Sequence, residues 1–532
     1  MLEGVPELVP LCIPFRMPLH PALLRAASGA AVLLALSLPA LAKPLPVPRA
    51  NASAKPASEA PITRQLPPEV LQALQRAGVP ADALSAVLIE ADTGHTVLSA
   101  RQHVPRNPAS LMKLLTTAAA LDRLGPAFSW ATPVWLNGPV QGGVLEGSLH
   151  IKGSGDPKLV LERVWLLLRR VQQLGVREIR GDIVLDNSAF AVPDTAPGDF
   201  DGEPLRPYNV RPGALLLNYR TVVYTFVPDA AAGVARVLVE PLLAGAAVDR
   251  SVPLAPAPGP CGDWRSALQA SFGDSAPTGA PNNGPTSGPT RFAGRYTASC
   301  GELSWPVADP QPASYDARLL EGLWREMGGQ LTGRVREGPA PLDIRPTFEQ
   351  RSQPLAELVR DINKFSNNVM AQQLFLTLAL QANPALAATP ESARETLRLW
   401  LADRTGEPPA DIVIDNGSGL SRDNRVSAQL LARVLLRAWD SPVMSELMSS
   451  LPISGVDGTL RRSRTSAGRA HLKTGSLRDA NGLAGYVLSN SGRRYVLAAL
   501  VNHPNAGAAR PALEALVQWT IRDLPLRAIA QP

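Results

Sequence analysis

Strand-like stretches near opposite ends of the chain constrain its fold most. The segment "ALSAVLIEADTGHTVLSA", beginning at Ala83, reads as a hairpin with two apolar runs either side of a turn at Asp92 to His95. Far downstream, "AHLKTGSL", "GLAGYVLS" and "RYVLAALVNH" read as three successive strands, the last two joined by an "NSG" turn, with a terminal helix over about 508–524. Pairing the early hairpin with the late strands makes one antiparallel sheet with helices packed on it, an α+β arrangement. The middle of the chain is then an insertion.

The texture between the two ends agrees. From about Phe128 to Pro341, short β-like runs such as "GVLEGSLHIKG", "GDIVLDNSAF" and "ARVLVEPLL" are split by Gly and Pro. Helical periodicity returns in "QPLAELVRDINKF" and "NNVMAQQLFLTLAL", which meet at Ser366 and Asn367. The stretch from Gly273 to Thr290 has too few apolar residues to build a core and reads as a loop. The expected organisation is a first sheet-and-helix part at 67–127, an inserted mainly-β region at 128–341, and a second part at 342–532.

The N-terminus reads as an address. From Met17, itself an alternative start, Arg25 precedes an apolar run at Ala30 to Leu38, and small residues stand at Ala40 and Ala42. That layout predicts a secretory signal peptide over 1–42, and the run is shorter than the roughly 20 residues of a spanning helix. A Pro, Ala and Ser-rich leader follows at 43–66. After cleavage only Cys261 and Cys300 remain, an even pair suited to an oxidising compartment, either bridged or as two buried thiols. The composition, 45% hydrophobic and 18% charged over 532 residues, is that of a globular chain of two or more domains. Its formal charge of +6 is scattered, without a basic run or interleaved aromatics, which argues against a nucleic-acid partner. The six histidines form no metal-ligand pattern, and no cofactor motif is present.

Lysine use singles out one stretch. The chain holds seven lysines against forty-five arginines, yet Lys113 lies in the apolar segment "NPASLMKLLTTAAAL". Asn107 reads as an N-cap and Pro108 as the first helical residue, which puts Ser110 in the first turn and Lys113 on the same face. Unpaired N–H groups and the helix dipole there favour an anion. A serine needs a base to become a nucleophile, and an amine serves if apolar surroundings lower its pKa. A lone Ser-x-x-Lys is weak evidence. Two further triplets strengthen it: Ser366-Asn367-Asn368 at the junction of two helices, and Lys473-Thr474-Gly475 on a strand, where a cation and a hydroxyl suit a carboxylate.

These three motifs resemble those of penicillin-binding proteins and serine β-lactamases. Together with "GSGDPKL", "DNGSGLSRDNRVS" and "LPISGVDGTLRRS", the chain is most similar to the S13 peptidases, the D-alanyl-D-alanine carboxypeptidase/endopeptidases of the low-molecular-mass class C type. The resemblance implies a transpeptidase-like domain interrupted by two nested, mainly β domains. Ser110 would be the acylated nucleophile, Lys113 its base, Ser366 a proton donor to the departing amine, and Asn368 the holder of Lys113 and substrate. Lys473 and Thr474 would bind the terminal carboxylate, with Gly475 admitting the backbone. The N–H groups of Ser110 and Ser476 would form the oxyanion hole. Arg422 matches an arginine that in relatives contacts the stem-peptide side chain, and the acidic run Gly198 to Glu203 falls where relatives place an acidic side chain. The implied partners are peptidoglycan stem peptides and, as acylating inhibitors, β-lactams, in the periplasm. A homodimer and a loose membrane association stay open. The rival readings are a serine β-lactamase, a catalytically silent wall-binding scaffold, and a histidine-dependent serine protease using His471, which the strand period otherwise makes a local support on the face of Lys473.

Overall fold

The computed structural model describes residues 65–256, 259–273, 289–406, 412–463 and 467–523. The expected signal peptide, all but the end of the leader, most of the Gly273–Thr290 loop and the chain from residue 524 onward lie outside the described residues. Leu66, expected as the last leader residue, is already buried with the apolar side chains of the first helix.

The two ends of the chain form one five-stranded antiparallel sheet. In spatial order its strands are Ala470–Leu477, Ala480–Leu488, Arg494–Asn502, Leu84–Glu90 and Thr96–Ala100. Strand period divides their side chains between two cores. Leu84, Ala86, Leu88, Leu472, Leu497 and Val501 face the helices Pro68–Arg76 and Arg510–Arg522. Val87, Ile89, Ala484, Tyr486, Val496 and Leu500 face a larger helical layer. That layer holds the helices Met112–Leu124, Leu355–Phe365, Asn368–Ala382, Pro390–Thr405 and Ala428–Trp439. Each fully buried Leu, Val or Ile contributes about 1.5–3 kcal/mol. Both faces are therefore committed, and the register cannot slip by one residue without reversing them.

Between these halves the chain builds separate sheets. One is mixed, in the order Val335–Glu337, Ile183–Asp186, Ser148–Lys152, Ala131–Asn137 and Phe348–Arg351. Nested within its span is an antiparallel sheet of Ser251–Pro253, Val234–Glu240, Thr221–Asp229 and Leu303–Ala308. The boundary expected at 341/342 falls early, because Phe348–Arg351 pairs with Ala131–Asn137 and returns the chain only at Arg351. Its sequence "FEQR" lacks the apolar alternation that marks a half-buried strand. Cys261 and Cys300 form a disulfide beside the nested sheet.

Candidate active site

The serine of the first motif sits ahead of its helix rather than inside it. The α-helix runs Met112–Leu124 and is preceded by a 3-10 turn, Ala109–Leu111. The reason is Ala109, whose φ of +47° is left-handed and cannot be part of an α-helix. Asn107 holds this turn. Its Oδ1 accepts from the Ala109 N–H at 2.8 Å, and its Nδ2 donates to the carbonyls of Ser421 and Arg422 at 2.9 and 3.1 Å. Its own N–H donates to Asn502 Oδ1 at 2.7 Å, on the last residue of a sheet strand. The Leu111 N–H is taken by the Pro108 carbonyl at 3.0 Å. Ser110 thus lies between two engaged neighbours on a turn fixed from the sheet and from the 421–422 loop.

Lys113 is wholly buried. Its Nζ makes three contacts: Ser110 Oγ at 3.0 Å, Asn368 Oδ1 at 2.6 Å and the Ser418 carbonyl at 2.6 Å. Burial, and then the neighbouring Lys473, hold its pKa well below the usual lysine value. A neutral amine has two protons and one lone pair. Asn368 Oδ1 and the Ser418 carbonyl can only accept, so they take both protons and leave the lone pair for the Ser110 hydroxyl. The set of partners therefore matches a base poised against that oxygen.

Ser366 and Lys473 form the second half. Ser366 ends the helix Leu355–Phe365 in a left-handed conformation, φ +56° and ψ 39°, which turns the chain sharply into the next helix. Asn367 caps that helix, its Oδ1 accepting from the Met370 N–H at 3.0 Å, so that Asn368 opens the helix facing Lys113. Lys473 Nζ donates to Ser366 Oγ at 2.8 Å and to the Thr474 carbonyl at 2.7 Å. Burial pushes the Lys473 amine down to about 7. Strand period sends Lys473 and Gly475 to the helical face, opposite Leu472. A Cβ at Gly475 would lie 2.6 Å from the Pro108 carbonyl oxygen and 3.3 Å from Ala109 Cβ. Only glycine lets this strand approach the serine turn so closely.

The strand Ala470–Leu477 is an edge. The Leu472 N–H points off that edge to the Pro452 carbonyl at 2.9 Å, so the N–H of Ser476, of the same parity, faces the same open side. Ser476 itself is exposed. Arg422 is also exposed, and its guanidinium lies over the Phe200 ring at 5.2 Å, which brings the acidic run of the inserted region to this side of the molecule. Within that run Asp201 is engaged by the Tyr208 hydroxyl and Asn209 Nδ2, both at 2.8 Å. His471 Nδ1 lies 3.2 Å from the Met448 carbonyl, and no contact joins it to Ser110 among the described residues.

Two contributors were not singled out as site residues in the sequence. The Ser418 carbonyl reaches Lys113 because Asn416 Oδ1 gathers the Ser418 N–H and hydroxyl and the Gly419 N–H at 3.1, 2.7 and 3.1 Å. Gly419, at φ +80°, has no room for a Cβ against the Ala109 carbonyl. The other is Thr459, whose Oγ1 lies 2.8 Å from Thr474 Oγ1. Both lie in stretches quoted for the resemblance, and their glycines were the available signal. Among the described residues no group of His, Cys, Asp or Glu could hold a metal ion, and no helix is long and apolar enough to cross a membrane.

The chain is similar to several known proteins. The model of the D-Ala-D-Ala carboxypeptidase 3 (S13) family matches residues 69–273 and 286–522. A D-alanyl-D-alanine carboxypeptidase of Actinomadura sp. (strain R39) is 29% identical over 452 residues, covering 80% of this chain and 79% of the relative. The D-alanyl-D-alanine carboxypeptidase DacB of Haemophilus influenzae is 25% identical over 412 residues, 75% of this chain and 81% of the relative. The crystal structure of penicillin binding protein 4 (dacB) from Haemophilus influenzae shares the fold, with a TM-score of 0.66 at 22% identity over 84% of this chain and 99% of that one. The same protein complexed with a novel beta-lactam superposes with a TM-score of 0.63 at 22% identity, covering 85% and 98%.

Proposed function

Because the chain belongs to the D-Ala-D-Ala carboxypeptidase 3 (S13) family, we propose that it is a serine-type peptidase that removes the terminal D-alanine from peptidoglycan stem peptides and also cuts D-alanyl cross-links, working in the periplasm. The three contacts of the buried Lys113 amine carry this reading. Neutral Lys113 takes the Ser110 proton as Ser110 Oγ attacks the penultimate D-Ala carbonyl. The resulting oxyanion is held by the N–H groups of Ser110 and Ser476, each worth about 3 kcal/mol in such a role. Collapse expels the terminal D-alanine, whose amine takes a proton from Ser366. Ser366 is re-protonated across its contact with Lys473. The proton that Lys113 took from Ser110 makes good the one Lys473 gave up, so both amines regain their starting states. Neutral Lys113 then takes a proton from water as the water oxygen attacks the ester carbonyl, and returns it to Ser110 Oγ as the ester C–O bond breaks.

Lys473, with the Thr474 hydroxyl, binds the substrate carboxylate, and the negative charge raises the Lys473 pKa again once substrate is bound. Asn368 holds Lys113 and the substrate backbone. Arg422, stacked on Phe200, stands toward the stem-peptide side chain. The β-lactam complex of the related penicillin binding protein 4 supports inhibition of this chain by the same class of compound. The test is to follow D-alanine release from an acyl-D-Ala-D-Ala peptide and the lifetime of a penicillin adduct. Peptide cleavage with a long-lived adduct supports the assignment. Fast penicillin turnover without peptide cleavage makes the chain a β-lactamase, and neither activity makes it a scaffold.

A further inference from the structure

Thr474 does not present its hydroxyl alone. Thr459 Oγ1 lies 2.8 Å away, from the short turn Gly458–Leu460, and the mechanism above gives that residue no task. The turn is anchored from below. The buried Lys364 ammonium donates to Asp457 Oδ2 and to the Leu451 carbonyl, both at 2.6 Å, and Asp457 Oδ1 accepts from the Ile453 N–H at 2.8 Å. Gly458 follows at φ +56°, where a Cβ would stand 2.7 Å from the Lys364 carbonyl oxygen. The loop is also tied to the strand edge by the Leu472 N–H on the Pro452 carbonyl. Thr459, exposed at the surface, is thereby delivered to Thr474 from a scaffold that cannot easily retreat.

We propose that Thr459 is a positioning residue for carboxylate binding: its hydroxyl fixes that of Thr474, so that the pair directs an O–H proton at the substrate carboxylate. The inference rests on the proposed peptidase reading. A carboxylate only accepts hydrogen bonds, whereas a threonine hydroxyl can turn to donate elsewhere. When Thr459 donates to Thr474 Oγ1, the Thr474 proton is left to point outward, and the donated bond polarises it further. The buried Lys473 cation then shares the carboxylate with a hydroxyl already oriented.

The experiment uses the full chain and compares acylation by benzylpenicillin with acylation by its carboxyl methyl ester, in wild type, Thr459→Val and Thr459→Ser. The expected result is an about ten-fold slower reaction of Thr459→Val with the free acid, the size of one hydrogen bond to a charged group. Its rate with the ester stays at the wild-type value, and Thr459→Ser restores the free-acid rate. Equal loss for acid and ester, or no loss for the acid, overturns the inference alone. A wild-type chain that neither compound acylates overturns the peptidase reading and the inference with it.

Discussion

Replacing Gly475 by alanine tests the packing that brings strand and serine together. The added methyl would stand 2.6 Å from the Pro108 carbonyl oxygen, 3.2 Å from Leu111 Cγ and 3.3 Å from Ala109 Cβ. A relaxed carbon-to-oxygen contact needs about 3.3 Å or more, so strand and turn must part by several tenths of an ångström. The turn has little slack. Pro108 O already accepts from the Leu111 N–H, and Ala109 already holds a left-handed φ. Overpacking of this kind costs about 1–3 kcal/mol, and a misplacement approaching 1 Å between reacting groups costs about 10²-fold in rate. Stopped-flow acylation by a fluorescent penicillin, with a thermal melt of the same sample, reads both quantities. The expected outcome is a rate lowered by about 10²-fold with a modest fall in Tm. Gly329→Ala, whose methyl would collide with Trp324 in the inserted region, lowers Tm while leaving acylation nearly intact. A Gly475→Ala protein that acylates at the wild-type rate refutes the reasoning.

Two further outcomes follow from buried groups. The acylation rate should be bell-shaped in pH: it rises as Lys113 loses its proton and falls as Lys473 loses its own near 7. The alkaline limb of kcat lies above that of kcat/KM, because a bound carboxylate favours charged Lys473; limbs that coincide contradict the role given to Lys473. In the inserted region, the Cys261–Cys300 bridge spans a sequence separation of 39, for which chain entropy assigns about 4 kcal/mol. The double Cys→Ser variant should melt earlier yet acylate normally at 25 °C, and a loss of acylation below the melt would show that the region shapes the site.

The residues gathered at the candidate site were more legible than the backbone geometry that gathers them. Ser110, Lys113, Ser366, Asn368 and Lys473 could be picked out because three motifs, each weak alone, occur in this order on an apolar helix, at a helix junction and on a strand. The sheet from the two chain ends was legible because Leu84–Glu90 and Arg494–Asn502 are apolar on both faces. What stayed hidden depends on backbone conformation. Nothing in the identity of Ala109 announces a positive φ, so Asn107 and Pro108 read as an ordinary helix start. The Ser418 contact is made by a carbonyl, which every residue has, and only the loop path fixed by Asn416 gives it a direction. Phe348–Arg351 joins the inserted sheet through main-chain pairing, with little side-chain pattern to mark it.

The most direct test of the central claim is the position of the covalent adduct. The protein is incubated with a penicillin, its intact mass is recorded, and the modified peptide is sequenced by fragmentation. One penicilloyl group on Ser110, absent from Ser110→Ala, is the predicted result. An adduct on any other residue, or labelling that survives Ser110→Ala, contradicts it.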